Sequence, residues 1–103
     1  MSSQRPSPRS GLTEAAALNG TARGRVQGVG FRDFARREAV TLELRGWIRN
    51  EIDGGVSFHI EGRRANLDLF LARLERGPAL GRVDEVVAEP AGVEGLQDFR
   101  IRG

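Results

Sequence analysis

Apolar residues recur every three or four positions in two segments of the chain, which is the spacing of one helix face. The first segment predicts a helix that starts near Phe31, and its apolar stripe consists of Phe31, Phe34, Ala35, Ala39 and Leu42. The second predicts a helix over about residues 65–76, with Leu67, Phe70, Leu71 and Leu74 on its apolar face. Gly77-Pro78 ends this second helix.

Strict alternation of apolar and polar residues marks the strands. Val56, Phe58 and Ile60 alternate with Ser57, His59 and Glu61, directly after the turn residues Asp53-Gly54-Gly55. Strands are predicted over about residues 17–26, 44–50, 56–61, 83–89 and 99–101. The resulting order is β-α-β-β-α-β plus a short last strand. It predicts an α+β fold of the ferredoxin-like split βαβ kind, an antiparallel sheet of four to five strands with two helices packed on one face.

The chain divides into a tail and one domain. Residues 1–13 are rich in Ser, Pro and Arg, lack apolar periodicity and predict a disordered tail. Residues 14–103 suffice for one modest core. Neither a secretory signal nor an apolar run of membrane-spanning length occurs, so we expect a cytoplasmic protein without a membrane partner. The sequence has no cysteine, which excludes disulfides and thiolate metal sites.

The charge pattern does not favour nucleic acid as a partner. All 16 basic residues are arginines, and Arg5 and Arg9 lie in the tail. From Leu12 onward the remaining 14 arginines face 14 acidic residues, so the domain is formally neutral. Nucleic-acid binders concentrate positive charge on one face. An RNA-binding module would also need aromatic residues on an exposed sheet face, whereas Phe58 is expected to face the core.

Candidate chemistry begins at the loop from Gln27 to Arg32, between the first strand and the first helix. Backbone N–H groups in such a loop can converge on an anion, and the helix N-terminus adds its positive end. A dinucleotide fingerprint would need a third glycine where Asp33 stands, and a nucleoside-triphosphate loop would need a lysine. A plain tight turn at Gly28 and Gly30 remains the alternative.

Asn50 is expected to return to this loop. A helix of about a dozen residues travels about 18 Å away from it, at about 1.5 Å per residue. The strand of about residues 44–50 comes back about 20 Å, at about 3.3 Å per residue. A guanidinium from Arg32 and the Asn50 carboxamide would then face one anion pocket. The alternative for Asn50 is a hairpin residue that satisfies its own backbone.

Two runs in these segments resemble the signatures of the acylphosphatase family. They are Gly24-Arg25-Val26-Gln27-Gly28-Val29-Gly30-Phe31-Arg32 and Gly46-Trp47-Ile48-Arg49-Asn50. Shorter matches are Asp53-Gly54, Glu61-Gly62, Gly81-Arg82-Val83-Asp84 and Phe99-Arg100-Ile101. The resemblance covers about residues 18–103. One departure is Glu43, where the family commonly has a glycine after the first helix; a left-handed turn there would cost about 1 kcal/mol.

The resemblance implies hydrolysis of acyl phosphates to a carboxylate and inorganic phosphate, without metal or organic cofactor. Arg32 would bind the phosphoryl group, and Asn50 would hold the attacking water. The main-chain amides of the loop would share in phosphate binding; these belong to Gln27, Gly28, Val29, Gly30, Phe31 and Arg32. A free-standing monomer is expected, with inorganic phosphate or sulfate able to occupy the site. The alternative is a non-catalytic domain that binds phosphate or carbamoyl phosphate, as in larger hydrogenase-maturation proteins.

Other candidate side chains receive structural interpretations. His59 is interpreted as a solvent-facing strand residue, Asp33 as a first-turn helix acid, and Trp47 as a core residue. Glu51, Asp53 and Glu61 are not spaced as metal ligands. Asn50 cannot act as a base at neutral pH, and Arg32 stays protonated. We therefore hypothesise that the proton of the attacking water goes to the substrate's own phosphate oxygen.

Overall fold

Strands and helices follow one another in the predicted order throughout the computed structural model, which describes residues 14–103. The elements are β1 (Ala15–Arg25), α1 (Phe31–Thr41), β2 (Arg45–Asn50), β3 (Val56–Arg63), α2 (Arg64–Arg76), β4 (Arg82–Ala91) and β5 (Phe99–Arg102). The predicted ferredoxin-like order is therefore confirmed. The tail predicted over residues 1–13 lies outside the described residues. Neither helix within residues 14–103 has the length and apolar character needed to cross a bilayer.

The five strands form one mixed sheet in the order β4-β1-β3-β2-β5. Four of them are antiparallel, but β5 pairs parallel to β2. The prediction of an antiparallel sheet is wrong at this edge. The cause is the connection, because β4 ends at one edge of the sheet while β5 lies at the other. The crossing segment, residues 92–98, spans up to about 23 Å when extended, and four strand spacings require about 19 Å. Since β4 ends at the end where β2 begins, β5 must run in the direction of β2.

The core lies between the sheet and the two helices. It is built from the apolar positions that the helix and strand periodicities predict. Its largest fully buried apolar side chains are Phe31, Phe58, Phe70, Ile48, Ile60, Leu67, Leu74, Val26 and Val56. Phe58 meets Phe70 edge to face at 5.9 Å between ring centroids, an arrangement that aromatic pairs favour. The two predicted helices thus pack on the same face of the sheet.

The other face, here called the outer face, carries a buried polar pair. His59 is only 2% exposed, so its interpretation as a solvent-facing residue is wrong. Its Nδ1 lies 2.6 Å from Asn19 Oδ1 and its Nε2 lies 2.8 Å from Glu61 Oε2. Alternation correctly placed His59 opposite the helices. It could not show that this face is covered.

The cover is the crossing segment, which the Glu61 carboxylate holds in place. Glu61 accepts hydrogen bonds from the backbone N–H groups of Glu94 (2.6 Å), Gly95 (3.1 Å) and Leu96 (3.2 Å). We call this arrangement the Glu61 clasp. Burial by itself would raise the pKa of Glu61, but the bonds from His59 and from these N–H groups outweigh burial and lower the pKa below its ordinary 4.5.

Because its folded pKa is lowered, the ionised Glu61 stabilises the fold above about pH 4.5, and this contribution is lost as the pH falls through the folded pKa. We expect Glu61→Gln to cost about 1–3 kcal/mol of unfolding free energy at pH 7. The difference from wild type should shrink at pH 3. Urea unfolding at both pH values measures it, with Glu75→Gln on the exposed face of α2 as a control. An equal loss at both pH values would contradict the role of the charge.

Trp47 also lies on the outer face, half-buried, rather than in the core, so that interpretation is wrong as well. Its ring stacks on His59 at 6.3 Å between centroids and 19° between planes. The guanidinium groups of Arg49 and Arg102 lie 5.2 and 4.9 Å from its centroid, within cation–π range. Aromatic stacking and cation–π contacts therefore hold these side chains together on the outer face.

Helix α1 ends in a Schellman motif whose left-handed position is Glu43, with φ of 58°. The N–H of Glu43 donates to Val40 O at 3.0 Å, and the N–H of Leu44 donates to Ala39 O at 2.8 Å. Glycine is the usual residue at this position because a Cβ disfavours positive φ. The left-handed turn anticipated for Glu43 is present.

We therefore expect Glu43→Gly to raise the free energy of unfolding by about 0.5–1 kcal/mol. Glu43→Ala is the matched control, because it removes the same carboxylate but retains the Cβ. Urea denaturation of the two variants isolates the backbone effect. If glycine proves no more stable than alanine, strain at this residue is not significant.

Candidate active site

The loop between β1 and α1 owes its shape to two glycines in left-handed conformations. Gly28 has φ of 75° and Gly30 has φ of 79°, values that other residues resist. Gly30 is the N-cap of α1 and offers no side chain to cap the helix. The N–H groups of the first helical turn, which have no partner within the helix, are therefore left for a ligand at the positive end of the helix dipole.

Arg32 and Asn50 meet at this loop, as the lengths of α1 and β2 predicted. Both line a cavity of about 220 Å³. The cavity is lined by Val26, Gly28, Gly30, Phe31, Arg32, Asp33, Asn50 and Ile101. Of the predicted site residues, Gln27 and Val29 are not among those that line it. The structure thus brings together five of the seven, contributed by the loop, α1 and β2.

Three larger cavities lie elsewhere among residues 14–103. One of about 490 Å³ is lined by Glu43 and Asn66, one of about 470 Å³ lies over the outer face beside Trp47 and Val87, and one of about 320 Å³ lies beside Asp98. None of them is lined by the glycine loop or the start of α1. The cavity of Arg32 and Asn50 is the one that combines a helix N-terminus, a guanidinium and a carboxamide, which is the combination suited to an anion.

Arg32 is oriented by the last strand. Its Nη1 donates a hydrogen bond to the carbonyl of Arg102 at 3.0 Å. A guanidinium has five N–H donors in a planar fork, so this bond leaves the others available for an anion. Sequence reasoning did not find this contact, because Arg102 lies 70 residues along the chain.

Asn50 stands at the end of β2, just before the hairpin turn. Other groups close that turn: Glu51 N–H donates to Gly55 O at 2.8 Å, and Gly55 N–H donates to Asp53 Oδ1 at 3.0 Å. The hairpin therefore does not require the Asn50 side chain, and its exposed carboxamide can serve the cavity.

Gln27 contributes in a way that the sequence did not indicate. Its side-chain Nε2 donates to Glu51 O at 2.8 Å and to Gly55 O at 2.9 Å. The loop that carries Gly28 and Gly30 is thereby joined to the hairpin that follows Asn50. No local motif signals a side chain that reaches carbonyls 24 and 28 residues away.

The two acidic residues of the β2–β3 hairpin, Glu51 and Asp53, make separate contacts. Glu51 pairs with Ser57 and Arg49, whose hydrogen bonds lower the pKa of its carboxyl group. Asp53 bonds Gly55 N–H and Arg23, which lower its pKa. A carboxylate with a lowered pKa is a weak base, so Glu51, although adjacent to Asn50, is poorly suited to take a proton from water.

One group of side chains among residues 14–103 has metal-ligating atoms close together. Atoms of His59, Glu61 and Glu94 lie within 4.8 Å of one another. His59 Nε2 and the Glu61 carboxylate already bond each other, and Glu61 also accepts the N–H bonds of the clasp, so the group is a hydrogen-bonded one. Asp33 lies in the first turn of α1, as predicted, and lines the cavity of Arg32 and Asn50.

Comparison with known proteins shows the family to which this chain belongs. The family model for acylphosphatase matches residues 18–101. An acylphosphatase from Rhizobium etli is 49% identical over 81 residues, covering 78% of this chain and 86% of that protein. Solved acylphosphatase structures from Coxiella burnetii and Bacillus subtilis both give TM-scores of 0.83, at 35% and 32% identity. Each covers 85% of this chain, and the matches span 93% and 99% of those chains. The chain belongs to the acylphosphatase family.

Proposed function

We propose that the protein hydrolyses the carboxyl–phosphate anhydride of acyl phosphates in the cavity between Arg32 and Asn50. The products are a carboxylate and inorganic phosphate. The observation that carries this proposal is the meeting of a guanidinium, a carboxamide and a glycine-shaped helix N-terminus in one cavity of about 220 Å³. Family membership supplies the reaction class, and the cavity supplies the residues.

The phosphoryl group binds to Arg32 and to the loop N–H groups. Phosphoryl transfer passes through a loose transition state with charge spread over the equatorial oxygens, so positioning and charge stabilisation provide most of the acceleration. Arg32 offers paired charged donors to two of those oxygens. The bond to Arg102 O fixes the guanidinium beforehand, so little reorganisation is needed during the reaction.

Asn50 holds the attacking water. Its carboxamide oxygen can accept a hydrogen bond from the water, but it cannot take a proton at neutral pH. The water oxygen forms the new bond to phosphorus while the bond from phosphorus to the acyl oxygen breaks. The leaving carboxylate needs no acid, and the proton of the water passes to a phosphate oxygen of the substrate.

The alternative is a domain that binds phosphate or carbamoyl phosphate without turnover. Benzoyl phosphate hydrolysis in the presence of EDTA, by wild type, Arg32→Ala and Asn50→Ala, separates the two. An acylphosphatase turns over without added metal and loses activity in both variants. A binding domain shows phosphate affinity alone, and that result would overturn the proposal.

Inorganic phosphate, as the product, and sulfate, as its analogue, are expected to occupy the same cavity. A monomer is proposed because the large exposed apolar side chains are scattered over different elements. Examples are Val40 on α1, Leu69 on α2 and Val87 on β4. Scattered apolar residues of this kind are normal on a monomer surface.

A further inference from the structure

We infer that the side chain of Gln27 is a positioning residue, which sets the separation between the phosphate-binding loop and the water-holding Asn50. This inference rests on the proposed function. Gln27 enters that function only through its backbone N–H; its carboxamide has a separate task.

The two hydrogen bonds of Gln27 join the two halves of the site. Both involve the single nitrogen Nε2, which donates to Glu51 O at 2.8 Å and to Gly55 O at 2.9 Å. A carboxamide NH₂ group has two hydrogens, so both are used. Gln27 is half-buried, which shields these bonds from competing water. We call this pair of bonds the Gln27 bridge.

The position of the bridge in the chain explains its effect. Gln27 directly precedes Gly28, the first glycine of the loop, and Glu51 directly follows Asn50. The bridge therefore links residues adjacent to the two groups that must act on one phosphorus atom. The loop and Asn50 belong to different elements, the β1–α1 connection and the end of β2.

Phosphate binding and water attack should depend on the bridge to different degrees. The loop N–H groups and Arg32 bind the phosphoryl group without Asn50. Attack needs the water aligned with phosphorus, and a displacement of about 1 Å can reduce the rate by about a hundredfold. Loss of the bridge should therefore lower kcat far more than it weakens phosphate binding.

Both carbonyl acceptors retain another donor when Gln27 is replaced. Glu51 O also accepts from Gly54 N–H at 3.1 Å, and Gly55 O from Glu51 N–H at 2.8 Å. Gln27→Met keeps the length of the side chain and removes both donors without leaving a carbonyl unpaired. This variant should fold, unlike a carboxylate that would face two carbonyls.

A matched control exists at the opposite end of the helices. Asn66 Nδ2 donates to Leu42 O at 3.0 Å, also a carboxamide bonded to a backbone carbonyl 24 residues away. Asn66 does not line the cavity of Arg32 and Asn50. Asn66→Leu therefore removes a bond of the same kind without touching the site.

The test compares wild type, Gln27→Met and Asn66→Leu for kcat with benzoyl phosphate, competitive inhibition by inorganic phosphate, and urea unfolding. We expect Gln27→Met to lower kcat at least about tenfold and to change the phosphate inhibition constant less than about threefold. Asn66→Leu should leave both constants within about twofold, even with a similar shift of the unfolding midpoint.

Two results would overturn the inference: a Gln27→Met enzyme with kcat within twofold of wild type, or one in which kcat and phosphate affinity fall by the same factor. Asn50→Ala, run alongside, keeps this question apart from the proposed function. If Asn50→Ala retains full activity, the proposed mechanism itself fails. If Asn50→Ala is inactive while Gln27→Met is normal, only the bridge is refuted.

Discussion

Arg32→Ala is expected to lower kcat/KM for benzoyl phosphate by about a thousandfold, equivalent to about 4 kcal/mol of transition-state stabilisation. The guanidinium supplies a full positive charge and paired donors in a cavity of about 220 Å³. Alanine removes both, so phosphate inhibition should weaken as well. Steady-state kinetics in the presence of EDTA, with phosphate as competitor, measure both effects.

Two further variants show whether the loss belongs to the guanidinium itself. Arg32→Lys keeps the charge but lacks the planar fork, and it should stay at least about tenfold below wild type. Arg36→Ala removes an exposed arginine one turn further along α1 and should be unaffected. Thermal unfolding is needed in each case, because Arg32 also bonds Arg102 O. An Arg32→Ala enzyme within tenfold of wild type would contradict the assigned role.

The spacing of apolar residues could predict the fold because it identifies the residues on the face of the sheet that the helices cover. The helical stripe that starts at Phe31 and the alternation from Val56 to Ile60 both describe apolar faces that must be buried. Their burial follows directly, as the fully buried Phe31, Phe58 and Phe70 show. The meeting of Arg32 and Asn50 in one cavity followed from the lengths of α1 and β2 alone.

The outer face could not be predicted, because its structure depends on contacts between distant segments. His59 lies in a polar phase of β3, which ordinarily means solvent. It is buried because the crossing segment, residues 92–98, covers it and donates three N–H groups to Glu61. The same segment sets the parallel direction of β5. A sequence shows which residues alternate, but not which loop returns over them.

The Gln27 bridge was missed for a related reason. A glycine-rich loop indicates where backbone N–H groups converge. From the sequence, Gln27 was expected to contribute only its backbone N–H to that loop. Its acceptors are the carbonyls of Glu51 and Gly55, and every residue has a carbonyl. Only the docking of the hairpin beside the loop makes these two accessible. The sequence could therefore predict that Arg32 and Asn50 line one cavity. It could not predict the contacts that join the loop to the hairpin.

Asn50→Ala is expected to lower kcat for benzoyl phosphate by about a hundredfold or more, because the attacking water loses the group that aligns it. The phosphate inhibition constant should change less than about threefold, since the loop and Arg32 remain. This division between turnover and binding distinguishes Asn50 from Arg32, whose removal affects both. If Asn50→Ala weakens phosphate binding as strongly as turnover, the carboxamide binds phosphate and does not hold water.

The pH dependence of the wild-type rate tests the destination of the proton. If a phosphate oxygen of the substrate accepts the proton, the pH profile of kcat should show no transition from a protein side chain between about pH 5 and 8. His59 belongs to the outer face and is 2% exposed, whereas Asp33 lines the cavity itself. Asp33→Asn is therefore the sharper variant, with His59→Gln as its control. If the profile is bell-shaped and either replacement abolishes the bell, the replaced side chain accepts the proton. If neither replacement changes the profile, the acceptor is the phosphate oxygen of the substrate, next to the water that Asn50 holds.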